Sequence, residues 1–390
     1  MGAQSVSGFG FSTLALVTVV GLAGPLLASV PGLRIPVVIG ELAVGLLIGR
    51  TGLGIVNPSD PTFTLLANVG FALVMFIVGT HVPIRDATLR SSIPGAALRA
   101  VLVGVVASVL AVVLATVFHT GHAAVYVVLM ASSSAALALP VIQSLSLTGA
   151  AVQAVTAQIA IADATCIVLL PLVIDPKRAI SATIGAAVIA VCAVVLFVLL
   201  QAFDRRGLRR RLHRYSEDNR FALELRISLI VLFTLGALAV ATHVSVMLAG
   251  FAIGLVIRAA GEPRRLARQL FGITEGLFSP LFFVWLGASL QVRELAERPA
   301  YILLGLGLGV GAVLAHCAGR LVGQPLVLGA LAAAQLGVPV AAATLGTEQH
   351  LLSAGEPSAL LLGALVTVAV TSVAGVAASR RQRAEPTSPQ

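Results

Sequence analysis

The chain has 390 residues, 58% of them hydrophobic and 11% charged, with a mean hydropathy of +1.02. Soluble domains carry about 25% charged residues, so this composition excludes a water-soluble fold and points to a polytopic membrane protein. The net charge of +9 does not point to nucleic acid, because the basic residues sit in short loops between apolar runs, where they set orientation in a membrane.

A membrane-spanning helix needs roughly 17–25 mostly apolar residues. In chain order such runs fall at 11–30, 35–50, 63–80, 95–118, 122–144, 150–174, 179–202, 221–242, 244–259, 270–290, 299–320, 325–347 and 357–378. That makes thirteen expected spans, the second and ninth being short. Arg34, the first basic residue, follows the first run, so no cleaved leader is expected. Cys166, Cys192 and Cys317 all lie inside apolar runs and read as packing residues, not as disulfides or metal ligands.

Thirteen spans place the two termini on opposite sides. With the N-terminus outside, 20 of the 25 basic residues fall on the inner side and 5 on the outer side, which agrees with the positive-inside rule. The expected organisation is one transmembrane domain over 1–378, with a first half of about 11–202 and a second of about 221–378. The basic loop 203–220 joins the halves, and a short polar cytoplasmic tail occupies 379–390. The segment "DRRGLRRRLHRYSEDNR" (204–220) reads as a topology determinant touching anionic lipid, or alternatively as a regulatory binding site.

Two runs look like broken helices. "MASSSAALALPVIQSL" (130–145) carries three consecutive serines and Pro140, and "AAAQLGVPVAAATLG" (332–346) carries Gly337 and Pro339 in mid-span. Irregular backbone at membrane depth is tolerated where it lines a cavity or is buried in protein. Paired breaks in corresponding places of two halves point to an inverted-repeat transporter with its site at the midplane.

Few ionisable residues lie deep in the spans. Asp163, in "AQIAIADATCIVLLPLVI" (157–174), is the clearest. A charge at the bilayer centre costs at least ~2.5–3.5 kcal/mol on insertion scales, so it marks a functional site by default. A single carboxylate there can take a proton or a monovalent cation in turn, and that competition gives exchange if only loaded forms cross.

Ser132, Ser133 and Ser134 offer hydroxyls and freed carbonyls as hard-oxygen ligands for Na⁺ or K⁺; small-residue helix packing is the other reading of the same serines. Gln335 in the second break is a further polar candidate. Possible accessories are Glu41, Thr165, Glu224, Arg226 and His316. Of these, Glu41 reads as structural or as an inner-vestibule group, and His316 as a packing histidine. No spacing of His, Cys or carboxylates suggests a transition-metal site, and no phosphate-cradling loop is present. Hence no enzyme activity, no ATP use and no cofactor are expected; the only metal ion is the transported one.

The motifs together resemble the monovalent cation–proton antiporters. The nearest branch holds bacterial sodium–proton antiporters and the membrane domain of glutathione-gated potassium-efflux systems. The resemblance rests on "RIPVVIGELAVGLLIGRTGLG" (34–54), "LLANVGFALVMFIVGTHVPIRDATLR" (65–90), "ASSSAALALPVIQSL", "IAIADATCIVLLPL", "THVSVMLAGFAIGLVI" (242–257) and "LFSPLFFVWLGASLQVREL" (277–295), in that order. It implies that Asp163 falls on the ion- and proton-binding aspartate. It also implies an all-α fold with two crossed broken helices in a core that moves like an elevator against a dimerising domain, in a homodimer.

The sequence also departs from the family pattern. Ala162 stands where relatives commonly place Asp or Asn, and Gly311 aligns where many carry a lysine. Leu336-Gly337-Val338 replaces Arg-Gly-Glu. One carboxylate without a partner lysine suggests electroneutral exchange of one proton for one cation across the inner membrane. Two other functions fit the same residues: a non-transporting sensor or membrane partner on this scaffold, and a Na⁺-coupled carrier of another small solute.

Overall fold

The computed structural model describes residues 9–30, 37–81, 87–208, 211, 214–216, 219, 221–242, 244–261, 264–290, 292–348, 351–353 and 355–384. Among these residues the regular structure is entirely helical. In chain order the helices are α1 (Phe11–Gly21), α2 (Ala23–Ala28), α3 (Val37–Ile48), α4 (Pro61–His81), α5 (Ala87–Val117) and α6 (Ala123–Ala131). There follow α7 (Ala135–Ser144), α8 (Ala150–Ile174), α9 (Ala179–Arg205), α10 (Leu223–Ala241), α11 (Val246–Ala260) and α12 (Arg264–Ile273). The last are α13 (Ser279–Ser289), α14 (Val292–Glu297), α15 (Pro299–Cys317), α16 (Leu326–Ala332), α17 (Gly337–Glu348) and α18 (Glu356–Ala384). A five-residue π-helical turn, Thr274–Phe278, joins α12 to α13.

Among the described residues ten helical stretches are long and apolar enough to cross a membrane, and three shorter apolar ones lie at Val37–Ile48, Ala123–Leu139 and Val246–Ala260. These coincide with the thirteen expected runs. Boundaries differ where polar residues extend a helix past its apolar part. Thus α5 begins at Ala87, not 95, and α18 continues to Ala384 with Ser379 buried.

The chain forms two compact units, each assembled from two separate stretches and each drawing helices from both halves of the sequence. The first unit comprises 1–83 and 181–290. In it α4 packs along α11, and α3 along α13. Glycine makes both approaches possible. A Cβ on Gly254 would strike the backbone of Phe76 and Gly79, and one on Gly45 the backbone of Val284. Lipid offers helices no hydrophobic gain from pairing, so close backbone contact supplies the packing energy. Phe71 and Phe282 stack with ring centroids 4.6 Å apart, and Trp285 ties α13 to the loop before α4 by donating from Nε1 to Pro58 O at 2.8 Å.

The second unit comprises 84–180 and 291–390. Here α15 lies against α18 through Gly305, Gly309 and Gly363, while α5 covers α6 and α8. Both interrupted helix pairs, α6/α7 and α16/α17, belong to this unit, as does Asp163.

Candidate functional site: a crossing of two broken helices

The first break is built by its serines. Ser132 and Ser134 have extended backbone (φ −72°, ψ 148° and φ −111°, ψ 108°), and Ser132 Oγ donates to Leu129 O at 2.7 Å. Hydroxyls that bond the preceding turn offer the backbone an alternative to the helix, and three in a row end α6 at Ala131. The second break spans Ala333–Leu336, and α17 then starts at Gly337 with Pro339 in its first turn. Proline is accommodated there because the first-turn N–H groups have no intrahelical partner to lose.

The two breaks satisfy each other. Ser134 N donates to Ala334 O at 2.6 Å, joining the extended segments directly. Ser133 Oγ donates to Ala332 O, the last carbonyl of α16, at 2.7 Å. Gln335 Nε2 returns the favour by donating to Leu129 O near the end of α6. A break buried in a membrane protein must find partners for the carbonyls it frees, and here each supplies the other's.

The positive ends of the half-helices are capped from two long helices. Asp163 on α8 is 3% exposed, and its Oδ2 accepts the N–H of Ala135, the first residue of α7, at 2.9 Å. A carboxylate on a helix N-terminus gains both a charge-assisted hydrogen bond and the favourable end of the helix dipole. At the second break Gln335 N donates to Thr367 Oγ1 of α18 at 3.1 Å. Thr367 is fully buried and passes its own proton to Ala364 O at 2.7 Å. Thr367 therefore does at the second break what Asp163 does at the first, without a charge.

His316 closes the arrangement from α15. It is fully buried; Nδ1 donates to Ala312 O at 2.9 Å, and Nε2 lies 3.2 Å from Ser133 Oγ. One turn earlier on α15, a Cβ on Gly311 would meet Met130 Sδ of α6 at 2.7 Å. The place where the family resemblance would put a lysine is thus packed by a thioether.

The structure brings together Asp163, Ser132, Ser133, Ser134, Gln335 and His316. The other candidates lie elsewhere in sequence and fold. Thr165 is exposed, because two residues along a helix turn it about 200° away from Asp163. Glu41, Glu224 and Arg226 belong to the other unit. There Glu41 is buried with Oε2 unpartnered among the described residues, Glu224 stands in the first turn of α10, and Arg226 is exposed.

Two groups of residues escaped the sequence reading. Thr367 is one. The other is Glu356, fully buried at the start of α18, which accepts from Tyr126 OH at 2.6 Å, His122 Nδ1 at 2.8 Å and Ser353 N at 2.9 Å. It fastens the start of α6 to the start of α18. Gln158, five residues before Asp163 on α8, is buried, with both amide atoms unpartnered among the described residues.

This architecture has known counterparts. The sequence pattern of the transmembrane sodium/hydrogen exchangers matches residues 14–379, and the chain belongs to that family. It is 23% identical over 388 residues to the putative Na(+)/H(+) antiporter YjbQ of Bacillus subtilis, covering 93% of this chain and 62% of that protein. It is 27% identical over 300 residues to the glutathione-regulated potassium-efflux system protein KefC of Salmonella typhi, covering 74% of this chain and 47% of KefC. The chain therefore spans about half to three-fifths of the length of these curated relatives. Two structures of the sodium proton antiporter MjNhaP1 from Methanocaldococcus jannaschii share its fold. One, at pH 8, has a TM-score of 0.63 at 16% identity and covers 95% of this chain and 96% of that one. The other, from electron microscopy, has a TM-score of 0.68 at 17% identity and covers 97% and 99%.

Proposed function

We propose that this chain exchanges a monovalent cation, Na⁺ or K⁺, for H⁺ across the cytoplasmic membrane, with Asp163 holding proton and cation in turn. The observation that carries this reading is a single buried carboxylate at the crossing of two broken helices, in a member of the sodium/hydrogen exchanger family. Ser132, Ser133, Ser134 and Gln335 form its polar surround, and Gln335 and Ser133 hold the freed carbonyls in place. The family defines a transporter, not an enzyme.

Further elements of the proposal are a homodimer, a moving core that carries the crossing, and a topology with the N-terminus outside and the C-terminus inside. The topology is supported by the 20-to-5 distribution of basic residues. The named relatives differ between Na⁺ and K⁺, so the cation is left at that class.

The test is reconstitution into vesicles with an internal pH dye, under imposed Na⁺, K⁺ or Li⁺ gradients. Cation-driven proton flux in the wild type but not in Asp163→Asn supports the proposal. Absence of flux with every monovalent cation would sink it, in favour of a sensor or a carrier of another solute.

A further inference from the structure

The first unit contains a cavity of about 530 Å³ that ion exchange does not use. It lies between α9, α10 and α11, at the end where α9 finishes, α10 starts and α11 finishes. Its walls are apolar, with Leu199 and Phe203 from α9, Ile227 from α10 and Ile257 from α11 among them. At that end the lining also includes Arg211 and Tyr215, both in the basic segment that links the two halves of the sequence, and Glu224 in the first turn of α10, which already has an interaction partner. Arg211 is exposed; its backbone N–H donates to Gly207 O at 3.2 Å, and among the described residues no bond or ion pair of its guanidinium is seen. Tyr215 is 57% exposed and rests edge-on against Phe221 with ring centroids 5.8 Å apart.

We infer that this cavity is a binding site for an anionic membrane phospholipid, with one acyl chain between α9, α10 and α11 and the phosphate on Arg211. Three observations select that occupant. The cavity is of the size that buries an elongated small molecule (roughly 300–1,000 Å³). Its polarity is segregated, greasy along three membrane-crossing helices and polar where they end, with Arg211, Tyr215 and Glu224 there, which is the pattern of a lipid and not of a polar solute. Its mouth offers a phosphodiester the exposed guanidinium of Arg211, in a segment whose sequence carries seven arginines against Asp204, Glu217 and Asp218. Juxtamembrane arginines attract anionic lipid over neutral lipid. Tyr215 adds a ring with a polar tip, suited to the headgroup level. This inference needs α9, α10 and α11 to span a membrane but does not need Asp163 to carry ions, so either can fail alone.

The test is native mass spectrometry of the full chain in mild detergent, titrated with phosphatidylglycerol or with phosphatidylcholine of the same acyl chains. Three variants accompany the wild type. Arg211→Glu reverses the exposed charge, Ile227→Trp fills the cavity, and Arg268→Glu removes a basic residue that does not line it. The wild type and Arg268→Glu should retain phosphatidylglycerol at least fivefold over phosphatidylcholine. Arg211→Glu should abolish that preference, and Ile227→Trp should lose both lipids.

Glycerol phosphate, which has the headgroup without the chains, should not compete; competition by it would mean a phosphate site and overturn the lipid assignment. Equal retention of phosphatidylglycerol by all four proteins would overturn the site. So would cysteine crosslinks formed between two copies through position 199, which would show the groove filled by a second chain. Circular dichroism and elution volume establish that each variant is folded; should Ile227→Trp fail there, Leu199→Trp, at a half-exposed position, replaces it.

Discussion

Two substitutions of Asp163 separate its structural from its proposed transport role. Its Oδ2 accepts the Ala135 N–H at 2.9 Å, and Ala135 opens α7, so this N–H has no partner inside the helix. Asparagine keeps a carbonyl oxygen in place for that bond and removes the charge. Alanine removes both. A hydrogen bond to a charged group contributes about 1.5–3 kcal/mol and a neutral one about 0.5–1.5 kcal/mol. Asp163→Ala should therefore be less stable than Asp163→Asn by roughly 1 kcal/mol. For a unit of this size that is a Tm lower by about 2–4 °C.

Transport should not follow that order, because both variants lack the titratable group. The assay is paired: thermal unfolding of the detergent-solubilised protein, and dye-reported proton flux in vesicles under a Na⁺ or K⁺ gradient. Both variants should be silent in flux while differing in Tm. Flux in Asp163→Asn above about a tenth of wild type would refute the role of the charge. Equal Tm values for the two variants would refute the cap.

Three further outcomes test the geometry. Thr367→Val removes the acceptor of the Gln335 N–H in a fully buried place and should cost about 1–3 kcal/mol in thermal unfolding; it removes no charge, so cation-driven flux should persist. Gly254→Val drives a side chain into the backbone of α4 at Phe76 and Gly79 and should cost about 1–3 kcal/mol or more, whereas Gly236→Ala on α10 meets nothing within 4 Å and should be neutral or stabilising by up to about 1 kcal/mol. Asp60, in the loop before α4, accepts backbone N–H groups from Phe9 at 3.0 Å, Thr62 at 2.8 Å and Phe63 at 3.2 Å; the Phe9 bond foremost holds its carboxyl below the ordinary 3.8. A group whose pKa is depressed on folding stabilises above its unfolded value and loses that contribution as pH falls through the folded value. The Tm difference between wild type and Asp60→Asn should therefore shrink as pH is lowered from about 5 to about 3, and a difference that widens would reverse the assignment.

What the sequence made legible was charge against an apolar background. Asp163 stood out because nothing around it could hide a carboxylate, and the triple serine and "LGVP" marked both breaks by their effect on helix hydrogen bonding. Pairings between distant residues were not legible. Gln335 reaches Leu129 across 206 positions, and no local pattern announces that contact. Glu356 lies just outside the apolar run 357–378, where nothing in the sequence singles it out, yet it is buried against His122 and Tyr126. Glu41, Glu224 and Arg226 were candidates because they sit deep in, or near the ends of, apolar runs. Depth along a run does not say which unit a helix joins, and these three lie in the unit without the breaks. Thr165 is different: the helical period alone turns it away from Asp163.

The charge at the crossing leads to a stoichiometry. The two breaks are built alike, with a cap on the first residue after each extended segment or within it, yet Asp163 is ionisable and Thr367 is not. Ala162 adds no second polar group, and at Gly311 the space opposite is filled by Met130. If the proposed exchange holds, the crossing carries one negative charge when empty and none when Asp163 holds either a proton or a monovalent cation. Both loaded forms are then equal in charge, and the membrane potential does no net work on the cycle. A charge moved across the membrane is worth about 2.3 kcal/mol per 100 mV, so even one uncompensated charge per cycle would change the driving force greatly. Flux in vesicles with the potential clamped by K⁺ and valinomycin, with Na⁺ as the exchanged ion, should be unchanged between zero and about −100 mV. Clear acceleration by voltage would mean that a second titrating group moves with Asp163, and His316, hydrogen-bonded at the same crossing, would be the first residue to replace.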